Sequence, residues 1–363
     1  MSEALFEVLR RLSETRGPSG HEEAVAAVME EALGPWVDEL RRDALGNVIA
    51  TKRSASDRRT VMSDRRTVML TAHMDEIGLR VSALRGGFLR WAPACGLDRR
   101  ALLGHEVTVH GRRELTGVMG ARPPHVLSAE ERGKFPAQDE MLIDLGLPPE
   151  EVEALVRVGD PISIGGSFRE LAGGRVSGPA LDDRCGIAAI VEAARQLHER
   201  GHQWTLQVMA TVQEEMGLRG AALGAYEARP DVAIAVDVTV GRAPGVPEAA
   251  AYALGEGPAI GWGPNFHPRV FDRLVRAAQR EDIPYQVEPL PGRSGTDAWA
   301  IQVSGEGIPC GLISAPVRNL HSPAETACLE DLEGAARLLA AFVEGLDEGF
   351  ASELGLGDAD GPR

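Results

Sequence analysis

Trp204-Thr205-Leu206-Gln207-Val208-Met209-Ala210-Thr211-Val212 runs directly into Gln213-Glu214-Glu215-Met216-Gly217. The apolar run has the length and β-branched content of a buried strand. A strand that ends in Glu-Glu-x-Gly brings two carboxylates to the rim of a sheet. Successive residues project in different directions there, so one carboxylate can hold a cation while the other works on a water. Taken alone, the pair also fits a solvated acidic turn. The rest of the chain decides, because it repeats the pattern of an apolar strand followed by a metal-type ligand.

Val68-Met69-Leu70-Thr71-Ala72 ends in His73-Met74-Asp75-Glu76, and Val232-Ala233-Ile234-Ala235-Val236 ends in Asp237. Ile308 to Ser314 is followed by Pro316 to Pro323, which contains His321. Ala180-Leu181-Asp182-Asp183-Arg184-Cys185-Gly186 opens a helix with Ile187, Ile190, Val191, Ala194 and Leu197 inward. His73, Asp182, Glu215, Asp237 and His321 are the candidate metal ligands. Four of the five stand at or just beyond the end of a strand, and in open parallel sheets that edge binds ligands. Two histidines and three carboxylates suit zinc, cobalt or manganese better than magnesium or calcium. Five ligands, one of them a carboxylate able to bridge, suffice for two ions about 3.5–4 Å apart. Asp75, two residues after His73, can accept the second imidazole N–H.

Strand and helix alternate through this part of the chain. The expected fold is therefore α/β: an α/β/α sandwich with a mainly parallel sheet covered by helices on both faces. Ahead of it, Leu5, Leu9 and Leu12 share one helical face. Pro18-Ser19-Gly20 breaks the chain, and a second helix runs to about Leu33. From Gly78 to Gly174 short alternating runs are separated by glycine and proline turns, with one helical piece near Pro149 to Val156. They read as an inserted, small, mostly β domain, PDZ-like or barrel-like. The division expected is residues 1–77 with 175–363, and 78–174. Gly255 to Pro264 reads as a glycine-rich loop, and the chain after Ala351 as a polar, loose tail. Ser56-Asp57-Arg58-Arg59-Thr60-Val61-Met62 is repeated as Ser63-Asp64-Arg65-Arg66-Thr67-Val68-Met69. The copy reads as a duplication that lengthens a surface loop at little entropic cost.

At 363 residues the chain can bury a large core in two domains, and 44% hydrophobic content is ordinary for a globular protein. No apolar stretch is long enough to span a bilayer, and Met1-Ser2-Glu3-Ala4-Leu5 does not open a secretory signal. Cys95, Cys185, Cys310 and Cys328 are scattered without CxxC spacing, which favours a reducing cytoplasm over a disulfide framework. A formal net charge of -16 argues against nucleic acid as a partner. His198-Glu199-Arg200-Gly201-His202 matches the HExxH spacing of zincins, but Gly201 sits where the helix should stop. His105, His110 and His125 fall in the insert and read as structural.

Six motifs occur in order: Ala72-His73-Met74-Asp75-Glu76-Ile77-Gly78, Ala180-Leu181-Asp182-Asp183-Arg184, Gln213-Glu214-Glu215-Met216-Gly217, Val236-Asp237-Val238, Gly295-Thr296-Asp297-Ala298 and His321-Ser322-Pro323. Together they resemble the dinuclear-metal aminopeptidases that assemble into tetrahedral particles. That family is also labelled glutamyl or deblocking aminopeptidases, and endoglucanase. The insert segment Pro123-Pro124-His125 is similar to the family's as well. The resemblance implies an α/β/α catalytic domain with an inserted dimerisation domain, and two divalent ions per subunit, zinc or cobalt. One ion would be held by His73 and Asp237 and the other by Glu215 and His321. Asp182 would bridge them across a cis Asp182–Asp183 peptide, Glu214 would be the general base, and Asp75 would join it in the catalytic set. It further implies short peptides as substrates and self-association into dimers and a dodecameric particle. Neither a membrane nor a nucleic acid enters as partner. Asn319 and Arg293 depart from the family pattern, which carries an aromatic residue and glycine there, and both bear on substrate preference. Two alternatives remain at this point: a glycosidase using Glu214 or Glu215, and an inactive assembly or binding protein of the same fold.

Overall fold

The structure, a computed structural model, describes residues 3–54 and 66–357. The first heptapeptide copy and Ser63 to Arg65 lie outside the described residues. The end of the second copy does not lengthen a loop. Arg66 leads into the strand Thr67–His73, at the centre of the main sheet. Its guanidinium lies 3.2 Å from the carboxylate of Asp231, both buried, and Thr67 N donates to the same carboxylate at 2.7 Å. This pair aligns the start of the His73 strand with the strand Val232–Val240.

The main sheet has 11 strands. Its centre is parallel: Thr205–Thr211, Thr67–His73, Val232–Val240 and Cys310–Arg318 lie side by side in that order. Antiparallel strands flank it. Val48–Lys52 and Glu39–Arg42 extend one edge, and Glu325–Cys328, Arg175–Gly178 and Arg169–Leu171 the other. The sheet is thus mixed, and the four strands of its parallel centre lead to or contain candidate ligands. Alternation along Thr67–His73 explains the layering. Val68, Leu70 and Ala72 face a core built with the helices Glu3–Glu14, Glu23–Leu33, Leu181–Arg200 and Leu329–Glu344. Met69 faces the opposite core, with Ala221, Ala225, Ala298 and Ile301. Both faces are covered, which is why these strands read as continuous apolar runs.

The insert is a closed antiparallel barrel of six strands: Gly78–Arg85, Phe88–Pro93, Glu106–His110, Glu114–Gly120, Leu142–Asp144 and Pro161–Ile164. Leu79, Val81, Leu89, Trp91, Val107, Val109, Ile143 and Ile162 fill it, apart from the main cores. Closure removes the exposed edges a small sheet would otherwise present. The main sheet takes the chain back at Arg169.

Two stretches differ from expectation. The glycine-rich stretch 255–264 contains the strand Ala259–Trp262, which pairs with Cys310–Arg318 and with Gln286–Pro289. A Cβ at Gly257 would stand 1.8 Å from Pro284 O, and one at Gly263 2.0 Å from Leu290 O. These glycines permit close packing of neighbouring backbones, and they hide the strand's apolar period. The end of the chain is not loose through residue 357. Glu348–Glu353 is helical, Phe350 and Ala351 are buried, and Leu354 and Leu356 pack on the core. Residues 358–363 lie outside the described residues.

Candidate metal centre and active site

All five candidate ligands converge at the C-terminal edge of the parallel strands. His73 is the last residue of its strand, Glu215 follows Thr205–Thr211, and His321 follows Cys310–Arg318. Asp237 lies inside its strand, which runs on to Val240. Pairing of that strand with the His73 strand ends at Ala235↔Thr71, while pairing with Cys310–Arg318 continues. The two strands part there, and Asp237 faces the opened gap.

Asp182 lies at the centre. Its Oδ1 is 3.0 Å from His73 Nε2, and its Oδ2 is 3.2 Å from His321 Nε2. His321 Nε2 is also 3.4 Å from Glu215 Oε1. Potential ligand atoms of Asp182, Glu215 and His321 all lie within 4.8 Å of one another, and so do those of His73, Asp183 and Asp237. Asp183 was not singled out from the sequence. It is buried, accepts from Gly186 N at 3.0 Å and lies 3.3 Å from His73 N as acceptor. An Asp-Asp pair at a helix start carries no signal for which member faces the site; here Asp182 reaches both imidazoles, while Asp183 turns to Gly186 N and His73 N across a cis Asp182–Asp183 peptide.

The site holds more negative charge than its own histidines neutralise. Burial is the main cause holding the carboxyls of Asp183 and Asp237 well above their ordinary range, and neighbouring carboxylates add to it. Burial, with Asp182 next, pushes Glu215 up to about 7. Glu214 is pushed up to about 10 by burial, with Asp237, Asp297 and Glu215 adding to it. Asp182 is held low, against its own burial, by His321 and His73, and Asp75 is lowered against its burial by His73 and its hydrogen-bond donors. Glu215 Oε1 is buried with no hydrogen-bond donor among the described residues. Clustered buried carboxylates of this kind need positive charge and donors. Divalent cations supply the charge and coordinate the oxygen lone pairs in place of donors, and the His/carboxylate set fits nitrogen- and oxygen-binding metals. His321 is 36% exposed at its side chain and His73 only 2%, so the site opens to solvent on the His321 side.

Buried acids hold the ligand loops through backbone N–H groups. Glu325 accepts from Asp182 N at 2.9 Å and from His321 N at 2.8 Å, joining two ligands from distant elements. Asp75 lies beside the second nitrogen of His73 and also reaches the Glu214–Glu215 turn. His73 Nδ1 is 3.1 Å from the main-chain oxygen of Asp75 and 3.5 Å from its Oδ1. The carboxylate also accepts from Glu214 N at 2.9 Å, from Glu215 N at 3.2 Å and from Ser19 Oγ at 2.6 Å. Asp297 accepts from Thr71 and Thr211 hydroxyls beneath the site. Arg184 is fully buried, its guanidinium unpartnered among the described residues, beside Glu76, Asp75, Glu22 and Asp183. Glu325 and Glu22 have no sequence signal because a charged residue outside a ligand motif does not reveal its burial, and the motif that contains Arg184 does not reveal that its guanidinium is buried.

The remaining histidine candidates fall away. The helix carrying His198 ends at Arg200, and Gly201 takes φ +82°. His198 Nδ1 meets Lys52 Nζ at 3.0 Å, while His202 Nδ1 faces Trp204 O at 2.5 Å. The two rings do not share a helix face, so the zincin arrangement is absent. His110 bonds Ser163 at 2.8 Å. His105, His110 and His125 join no ligand cluster among the described residues. The four cysteines are free. Arg293 is exposed and stacks over Trp299, 5.3 Å from the ring centre. Asn319 takes φ +57°, a region asparagine tolerates better than an aromatic residue, and its amide bonds Ala324 O at 3.3 Å across the His321 loop. No helix among the described residues is long and apolar enough to cross a membrane.

Comparison with known proteins points to one family. The chain is 34% identical to the lysyl aminopeptidase of Pyrococcus furiosus over 347 residues, covering 94% of this chain and 97% of that protein. The TET aminopeptidase from a marine-sediment Thaumarchaeota archaeon superposes with a TM-score of 0.89 at 32% identity, covering 97% of this chain and 99% of that one. The Pyrococcus horikoshii TET1 peptidase, described as assembling into a tetrahedron or a large octahedral shell, matches with a TM-score of 0.81 at 31% identity, over 94% of this chain and all 100% of that one. Residues 46–338 match the M42 glutamyl aminopeptidase family, so the chain belongs to that family and is a peptidase, a hydrolase of peptide bonds.

Proposed function

We propose that the protein is a metal-dependent aminopeptidase of the cytoplasm that removes N-terminal residues from short peptides. Two divalent cations per subunit, zinc or cobalt, fit the ligand set. His73 and Asp237 would hold one and Glu215 and His321 the other, with Asp182 between them. The observation that carries this reading is the split of the Asp182 carboxylate, one oxygen toward each imidazole. Asp183 is left to a supporting part, since its oxygens are already engaged by Gly186 N and His73 N. When bound, such cations supply Lewis acidity to the scissile carbonyl and lower the pKa of the attacking water.

Glu214 is the general base. It sits next to Glu215 in the chain, its N–H is fixed by Asp75, and no hydrogen bond occupies its carboxylate among the described residues. Its upward shift comes from burial and from uncompensated neighbouring acids; compensating positive charge returns it to the ionised form a base needs. Glu214 takes a proton from the attacking water and passes it to the leaving amine. The cleft opening beside His321 lets a chain terminus approach. The barrel, within residues 78–174, serves subunit contact, with residues 1–77 and 175–363 forming the catalytic unit. Assembly of the Pyrococcus horikoshii relative into closed shells supports dimers that build a larger particle, such as a dodecamer.

The test is an assay of aminoacyl-p-nitroanilides and of carboxymethylcellulose, with and without a chelator. Nitroaniline release that is lost with chelator and restored by zinc or cobalt is expected, with no turnover of the polysaccharide. Cellulose turnover would replace the reading with a glycosidase, and inactivity of the metal-loaded protein on both would replace it with a binding role.

A further inference from the structure

The break between the first two helices, Gly17-Pro18-Ser19-Gly20-His21-Glu22, lies under the Glu214–Glu215 turn, about two hundred residues away in sequence. One side of this loop is fastened to the segment after His73. Gly17 N donates to Glu76 Oε1 at 2.8 Å, Glu76 N donates to Gly17 O at 3.0 Å, and Arg80 donates to Ser19 O at 2.7 Å. The other side reaches the turn by two routes. Ser19 Oγ donates at 2.6 Å to Asp75 Oδ2, which also accepts from Glu215 N at 3.2 Å. Glu22 Oε1 accepts from Gln213 N at 3.1 Å and from Gly20 N at 2.7 Å.

Gln213 takes φ +54°, a left-handed conformation that a non-glycine residue keeps only when its surroundings enforce it. The residue after it is Glu214, so the direction of Gln213 sets the direction of both carboxylates. Ser19 and Glu22 are buried, and neither belongs to the ligand clusters. Buried polar groups of this kind, spent on the backbone of a distant turn, fit a role in aiming the residues that turn carries.

We propose that the Ser19–Glu22 loop is a positioning brace for the reacting pair: Glu22 fixes Gln213, Ser19 fixes Asp75, and together they aim Glu214 and Glu215. The inference rests on Glu214 being the general base. Because both donors meet the same oxygen of Glu22, an amide oxygen in that place serves as well as a carboxylate. The brace thus works through hydrogen-bond acceptance and not through charge.

The experiment compares Glu22→Ala, Glu22→Gln, Ser19→Ala and Glu214→Gln in the full-length, zinc- or cobalt-loaded protein, reading kcat, KM and metal content. Glu22→Ala should lower kcat about 10–100-fold, the cost of misplacing a reacting group by about 1 Å. KM should stay within about twofold and metal content at the wild-type level. Glu22→Gln should restore most of kcat, and Ser19→Ala should show a smaller drop in kcat with the same KM. Wild-type kcat in Glu22→Ala, or failure of Glu22→Gln to restore it, would overturn the brace. If Glu22→Ala does not fold, Ser19→Ala decides alone: wild-type kcat overturns the proposal. Glu214→Gln separates the two levels. Full activity there removes the general base and the brace with it; loss there together with full activity in Glu22→Ala and Ser19→Ala removes the brace only.

Discussion

Glu214→Gln and Glu215→Gln should fail in different ways, and the structure says how. The carboxylate of Glu214 accepts no hydrogen bond among the described residues, and the bond to Asp75 comes from its backbone N–H. The amide therefore removes no native contact, and burial already penalises the charged carboxylate. Folding and metal content should be unaffected. What is lost is the proton acceptor, so kcat should fall about 10²–10⁴-fold with KM little changed. At about 1.4 kcal/mol per decade this corresponds to roughly 3–5 kcal/mol of transition-state stabilisation. Glu215 differs. Its Oε1 is buried without a donor and 3.4 Å from His321 Nε2, in the cluster with Asp182. Glu215→Gln removes one anionic donor, so metal content should fall and excess zinc or cobalt should recover part of the activity. The assays are elemental analysis of both dialysed proteins and steady-state kinetics on an aminoacyl-p-nitroanilide. Loss of metal in Glu214→Gln with retention in Glu215→Gln would reverse the two roles. Full activity in both would reduce the pair to a solvated turn and refute the mechanism.

Four further outcomes follow from the geometry. Glu22 is pushed up to about 7 by burial, so as pH rises from its unfolded value of 4.5 through 7 the folded state loses stability relative to Glu22→Gln. Chelated Glu22→Gln should gain on wild type between pH 5 and pH 8, by up to about 3 kcal/mol, in urea titrations at the two pH values; equal curves at both would contradict this. Arg293 stands exposed over Trp299, and if it favours acidic N-terminal residues, Arg293→Gly should lower the ratio of kcat/KM for Glu over Leu substrates; an unchanged ratio rejects that assignment. Arg66→Ala removes the buried Arg66–Asp231 contact at the start of the His73 strand and should lower the denaturation midpoint by more than the loss of an exposed pair does, about 1 kcal/mol; a smaller shift would mean the pair is as weak as an exposed one. Light scattering at micromolar concentration with metal present should give a mass well above 38.7 kDa, and a monomer would remove the assembly proposal.

Local chemistry was legible in the sequence because strands buried on both faces read as apolar runs, and a ligand at the end of each run stands out. The candidate ligands His73, Glu215, Asp237 and His321 could be read this way, and Asp182 from the Asp-Asp pair that opens a helix; the α/β layering and the inserted β-rich segment were legible as well. The strand Val68 to Ala72 was legible because the second heptapeptide copy runs on into Leu70-Thr71-Ala72-His73, but the buried Arg66–Asp231 contact that precedes it was not. The strand Ala259–Trp262 was hidden because its neighbouring glycines answer to backbones that approach from elsewhere in the chain. The supporting acids Glu22, Asp183 and Glu325, and the contacts of Asp75 with the Glu214–Glu215 turn, depended on tertiary structure for the same reason. Their partners are backbone N–H groups, which every residue carries, so no side-chain pattern marks them. A carboxylate's contact with an N–H a hundred residues away exists only once the strands have paired and the loops have closed over them.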